Sequence, residues 1–247
     1  MSRIDVLGVG FDDLTRNGTI ELAKRLIDEH AGAYMVTPNP EIVMQTWESK
    51  EVCAAVNAAD IVIPDGIGVV KAAKILGTPL SGRLPGIEIA TELLRYIAES
   101  GKTAFLLGAK PGVAEKAAEQ MKKDFPGINI CGTNDGYFKE DGPVVEKINA
   151  LKPDFLLVCL GAPKQELWMA GNKALLDVGL MAGLGGTLDV FAGTVKRAPE
   201  IWQKLNLEWF YRCLKEPVRF KRIYKLPLFL LKAMAKRLRK MFNGQKG

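Results

Sequence analysis

Apolar and polar positions along the chain switch repeatedly between two periods. Short β-branched or apolar runs at 4–9, 34–36, 61–63, 103–107, 128–131, 155–160 and 180–182 read as strands. Between them lie stretches with helical spacing at 20–30, 88–100 and 113–125; in the last, Val113, Ala117, Met121 and Phe125 recur near the helical period. Strands that are continuously apolar, rather than alternating, are covered on both faces, and helices between them supply the cover. The pattern predicts an α/β body with a doubly wound, Rossmann-like, mostly parallel sheet.

Sheets of this kind bind ligands at the carboxyl ends of their strands. Here the strand ends run into Thr37-Pro38-Asn39-Pro40-Glu41, Pro64-Asp65-Gly66, Gly108-Ala109-Lys110-Pro111-Gly112, Gly161-Ala162-Pro163-Lys164-Gln165-Glu166 and Gly183-Leu184-Gly185-Gly186-Thr187. All five loops should gather on one rim.

After about Val195 the character changes. Trp202, Trp209, Phe210, Tyr211, Phe220 and Tyr224 interleave with Arg212, Arg219, Lys221 and Arg222. Charge follows the same division: the formal net charge of +6 averages −6 over residues 1–195 with +12 over 196–247. We therefore expect two units, a Rossmann-like core at 1–195 and a basic, amphipathic helical appendage at 196–247. In the segment 228–242, Leu228, Leu231, Met234, Ala235, Leu238, Met241 and Phe242 fall on one side. Lys232, Lys236, Arg237, Arg239 and Lys240 fall mostly on the other. A helix of roughly 22 Å with that much charge is too short to cross a bilayer but suits an anionic membrane surface. The same apolar face would serve a homo-oligomer as well.

Rare residues exclude whole chemistries. His30 is the only histidine, so a Ser–His–Asp triad, a Cys–His pair and a multi-histidine zinc site are out. The four cysteines are far apart without C-x-x-C spacing, and the first residues leave no room for a signal peptide, so a cytoplasmic location is expected. Gly8-Val9-Gly10 lacks the third glycine of a dinucleotide fingerprint, which weighs against a nicotinamide-dependent oxidoreductase. A nucleic-acid binder using the basic aromatic tail is the other rival class.

Proton transfer therefore falls to a carboxylate. Asp65, between a strand and a helical pattern, reads either as a helix N-cap or as a general base. Thr37 and Asn39 sit in a stiff proline-flanked turn that either starts a helix or presents polar groups to a sugar. Arg83, in Gly82-Arg83-Leu84-Pro85-Gly86, is either a surface charge or a fork for a diphosphate. Gly185 and Gly186 serve either close packing or an anion, and Gln165 offers an amide to a ribose hydroxyl. Arg212, Arg219 and Arg222 share one helical face, either solvated or set against phosphates. Asp12-Asp13 and Asp60 do not form a D-x-D metal motif.

Taken in order, Thr-Pro-Asn-x-Glu, Pro-Asp-Gly, the Arg-x-x-Gly turn, Gly-x-Pro-x-Gln-Glu, Gly-x-Gly-Gly-x-x-Asp, Lys-Arg-Ala-Pro and Leu-Glu-Trp-x-Tyr-Arg resemble the TagA/WecG/CpsF glycosyltransferases, glycosyltransferase family 26. The likeness runs from Ile4 to about Pro227. It implies an inverting, metal-independent transfer from a UDP-sugar to a polyprenyl-diphosphate-linked sugar, with no cofactor and no nucleic-acid partner. In the teichoic acid branch N-acetylmannosamine goes to the 4-hydroxyl of GlcNAc on undecaprenyl diphosphate. Other branches use N-acetylmannosamine uronic acid, glucose or galactose. By resemblance Asp65 is the base, Thr37, Asn39, Arg83 and Gln165 line the site, and Arg212, Arg219 and Arg222 stabilise departing UDP. The appendage closes the pocket and meets the cytoplasmic face of the membrane. Glu88 stands where the pattern leads one to expect aspartate.

Overall fold

A computed structural model describes residues 3–205, 207–215 and 225–244, apart from the side chains of 204, 212, 213, 215, 243 and 244. The chain opens with β1 (Ile4–Val6) and β2 (Val9–Phe11), which pair antiparallel as a two-stranded sheet of their own. This corrects the single strand expected at 4–9. The apolar run is continuous in sequence, but Leu7 (φ 58°) and Gly8 (φ 101°) both enter the left-handed region and fold it back on itself. The hairpin then docks on the main sheet. Asp12 N–H donates to the Val62 carbonyl, and Val62 N–H donates to the Asp12 carboxylate, both at 2.8 Å.

The elements that follow are α1 (Arg16–Asp28), β3 (Ala33–Val36), α2 (Pro40–Glu48), α3 (Lys50–Asn57), β4 (Ile61–Val62), α4 (Ile67–Leu76) and α5 (Gly86–Ser100). Then come β5 (Thr103–Gly108), α6 (Val113–Asp124), β6 (Asn129–Asn134), α7 (Gly142–Leu151), β7 (Phe155–Cys159), α8 (Lys164–Asn172), β8 (Leu180–Gly183) and α9 (Thr187–Phe191). The last helices are α10 (Glu200–Lys204), α11 (Glu208–Lys215) and α12 (Lys225–Gly244). Six strands form one all-parallel sheet in the order β4-β3-β8-β7-β5-β6. Its centre is covered on both faces: every residue of β3, β7 and β8 is buried, as the unbroken apolar runs require.

Two cores flank the sheet. Ile42, Val69, Val144, Trp168 and Phe229 belong to one face, which gathers α2, α4, α7, α8 and α12. Ile20, Ile89, Ala117 and Leu188 belong to the other, which gathers α1, α5, α6 and α9. The doubly wound expectation is met. The terminal helix is more deeply engaged than its charge pattern suggests. Phe229 and Ala233 are completely buried, and Phe229 stacks on Trp47 of α2 with ring centroids 6.1 Å apart. The helix thus has a buried face besides its exposed apolar stripe of Leu228, Leu231, Met234, Leu238, Met241 and Phe242. Among the described residues no helix is long and apolar enough to cross a membrane.

Candidate active site

A cleft of about 270 Å3 opens at the carboxyl ends of β3, β4 and β8. Thr37, Asn39, Asp65, Arg83, Gly185 and Gly186 all line it, so six of the residues singled out in the sequence meet in one place. The loops after β5 and β7 lie on the same rim but contribute no lining residue.

Asp65 directly precedes Gly66 (φ 105°), which occupies the N-cap of α4. Asp65 lines the cleft, and its side chain is 32% exposed. The turn at 37–41 divides its labour. Asn39 caps α2: its Oδ1 accepts from the N–H groups of Glu41 and Ile42 at 2.9 and 3.1 Å, and Pro40 stands at the first helical position. Thr37 is buried, and its hydroxyl donates to the Gly183 carbonyl at 3.2 Å. The turn therefore starts a helix, and its Thr37 and Asn39 line the cleft.

Arg83 sits between two carboxylates. Its Nε lies 3.6 Å from Asp65 Oδ1, and its Nη2 donates to Glu208 Oε2 at 2.7 Å. Burial alone would lower the guanidinium pKa, but Asp65 and Glu208 outweigh it and the pKa is raised. Glu208, the first residue of α11, is itself buried and also faces Arg197 Nε at 3.4 Å. Arg197 in turn donates to Glu88 Oε1 at 2.8 Å. Charges alternate along Asp65, Arg83, Glu208, Arg197 and Glu88, joining the strand end to the appendage. Glu88, unexpected in sequence, thus has a partner that its longer side chain reaches. The sequence reading passed over Arg197 and Glu208, although Lys-Arg-Ala-Pro and Leu-Glu-Trp contain them. The signal was the appearance of an acid in a strongly basic stretch.

Gln165 lies behind the cleft wall. It is buried, its Nε2 donates to Glu166 Oε1 at 3.0 Å, and its Oε1 has no hydrogen-bond partner. A Cβ at Gly185 would stand 2.9 Å from that oxygen, so the glycine allows the amide to approach the lining from beneath. Gly186 (φ 80°) caps α9 in the left-handed region that its lack of a side chain permits. Arg219 and Arg222 lie outside the described residues, as does the side chain of Arg212 on α11. Trp209, beside Glu208, reaches the cleft and packs edge-on to Phe210.

The lone histidine is far from this rim. His30 follows α1 at the amino end of β3 and pairs with Asp177 at 3.0 Å. Asp12 and Asp60 are structural. Asp12 binds Arg3 and the backbone of Val62; Asp60 holds Lys173 and the Tyr34 N–H.

A parallel sheet with a carboxylate at a strand end, an arginine against it and residues of α11 and α12 lining the cleft makes a site suited to an enzyme of group transfer. The chain belongs to the WecG/TagA/CpsF glycosyl transferase family, whose model matches residues 4–243. It is 40% identical over 204 residues to the N-acetylglucosaminyldiphosphoundecaprenol N-acetyl-beta-D-mannosaminyltransferase of Bacillus spizizenii, covering 83% of this chain and 79% of that protein. It is 38% identical over 239 residues to the Staphylococcus aureus MW2 protein of the same name, covering 96% and 94%.

Proposed function

We propose that the chain transfers N-acetylmannosamine from its UDP conjugate to the 4-hydroxyl of GlcNAc on undecaprenyl diphosphate. The relatives are named for N-acetylmannosaminyl transfer to N-acetylglucosaminyldiphosphoundecaprenol, which supports the reading of sugar and acceptor. The observation that carries the reading is the Asp65 carboxylate at the end of β4, set against Arg83 in the cleft.

In this mechanism Asp65 takes the proton of the acceptor hydroxyl while its oxygen attacks the anomeric carbon from the face opposite UDP. The bond from that carbon to the β-phosphate oxygen breaks, the anomeric configuration inverts, and UDP leaves with an added negative charge. Cationic side chains offset that charge. By resemblance Arg212, Arg219 and Arg222 supply them, and the transfer needs no divalent cation. Thr37 and Asn39 hold the turn that faces the sugar, and Arg83 orients Asp65. Gln165 supports the Gly185-Gly186 wall from beneath.

The exposed stripe of α12, flanked by Lys232, Lys236 and Arg239, supports a peripheral seat on the anionic inner face of the cytoplasmic membrane. The division into a core at 1–195 and a membrane-reading appendage at 196–247 belongs to the same proposal. Asp65→Asn tests the whole. Product formation should fall roughly 10²–10⁴-fold, the range of a lost general base, while UDP still binds. Turnover within a few-fold of the parent would refute the assignment, and an excess of chelator should leave the parent rate unchanged.

A further inference from the structure

The cleft has two walls that come from opposite faces of the sheet. One is built from the starts of α5 and α9, with Gly86, Ile87, Thr187 and Val190. The other is built from the starts of α2, α4 and α12, and its outermost part is the first turn of α12, Lys225 and Leu226. Leu226 reaches this position because residue 68 is glycine: a Cβ there would lie 2.5 Å from Leu226 Cδ1 and 2.6 Å from Pro40 Cγ. Lys225 is half-buried, with its Nζ 3.9 Å from Glu41 Oε1, charge facing charge at the outer limit of an ion pair.

Within two turns of the same helix the surface becomes apolar. Leu228 is 40% exposed and Leu231 60%, and the stripe continues to Phe242. A walk outward from Asp65 along this wall therefore meets a polar cleft, then an ammonium group, then a hydrocarbon surface. A lipid-linked acceptor has the same order of parts: sugar, diphosphate, isoprenoid chain. Apolar side chains are also exposed around α10 and α11, at Ile201, Leu205, Trp209 and Leu214, but Lys225, the one lysine among the described residues that line the cleft, stands on the α12 wall.

Resting on the transferase reading above, we infer that Lys225 receives the diphosphate of the lipid-linked acceptor. Leu226, Leu228 and Leu231 lead the hydrocarbon chain from the cleft on to the membrane. The acceptor then occupies the α2–α4–α12 wall and the donor nucleotide the α5–α9 wall, with Asp65 between them. A lysine suits the task, since a compact charge on a flexible stem can follow a diphosphate whose lipid moves in the bilayer.

Initial-rate kinetics of the full chain with UDP-N-acetylmannosamine and vesicle-borne GlcNAc-diphosphate-undecaprenol test the assignment. Lys225→Ala should raise the acceptor KM about tenfold and leave the donor KM within about twofold, the loss of one charge-assisted contact. Lys225→Arg should restore the acceptor KM. A rise in donor KM equal to that for acceptor, or no change in either, overturns the inference while leaving glycosyl transfer intact. A second readout does not depend on turnover. Vesicles doped with undecaprenyl diphosphate should retain the parent protein more strongly than undoped ones, and Lys225→Ala should abolish that difference. Equal retention of parent and variant on doped vesicles also overturns the inference. Absence of product with the parent protein would count against the proposed donor and acceptor, and the vesicle comparison would still decide the role of Lys225.

Discussion

Glu208 shows how much one side chain can organise. Its buried carboxylate is shared by Arg83 and Arg197, and removing it leaves two guanidinium groups without their common anion. Breaking a fully buried ion pair costs about 3–5 kcal/mol. Here Arg197 is 26% exposed, so Glu208→Ala should cost about 2–3 kcal/mol in urea unfolding. A loss below about 0.5 kcal/mol would show the network to be solvated. Glu166 makes a prediction in pH. Burial pushes its carboxyl above the ordinary range, and the Gln165 amide offsets this only in part. The folded chain then keeps a proton that the unfolded chain has released, so stability falls as pH rises from the ordinary carboxyl range through the raised folded value. Glu166→Gln removes that titration, and its urea midpoint relative to the parent should improve as pH rises above the ordinary carboxyl range. Gly185→Ala drives a methyl group into Gln165 Oε1 and should cost about 1–3 kcal/mol, with Gln165→Ala relieving most of it in the double variant. Asp65, Thr37 and Asn39 were legible as single residues because each sits in a short motif at a strand end, and Arg83 because it sits in the Gly82–Gly86 turn before α5. Arg197 and Glu208 were not, since Glu208 meets Arg83 across 125 positions of sequence and no local pattern announces such a pairing.

At the scale of elements, periodicity located what it could. Helix α6 and strands β5 and β7 fall close to their expected positions because a helix with one buried face, or a strand with two, imprints its period on the chain. The hairpin at β1 and β2 escaped because its turn depends on backbone conformation at Leu7 and Gly8 rather than on a polar break. The double apolar character of α12 escaped because the helical pattern was divided into only two sides. Phe229 and Ala233 form a third surface, turned toward α2 and α4. Phe229→Ala should therefore cost about 3–5 kcal/mol, as in any close-packed core. The capping role of Asn39 is also an element property. Asn39→Ala should lower stability by about 1 kcal/mol, and Asn39→Asp should preserve it. Comparing the turnover of these two variants separates the cap from any contact with sugar.

For the whole molecule, the basic end is joined to the body more intimately than its composition suggests. Lys232 lies over the Trp47 ring at 3.7 Å, and Lys236 pairs with Asp5 of the hairpin at 2.6 Å. If the outer stripe meets the membrane, Leu231→Asp with Leu238→Asp should abolish sedimentation with anionic vesicles while the circular dichroism of the fold persists. Raising salt should weaken the parent's binding as the basic residues are screened. Retention of the double variant on vesicles would place the membrane contact elsewhere.

The two ends of α4 are each gripped by α12. Leu226 packs over Gly68 in the first turn, and Arg237 covers the left-handed Gly77 at the last, donating to the Leu76 carbonyl at 3.2 Å. A slip of α12 by one residue, about 1.5 Å, would unseat both grips together. The helix is therefore a ruler that cannot slide. On the proposed membrane seat, that surface would be held at one height relative to Asp65, and the reach of an acceptor's head group would become a criterion of choice in its own right.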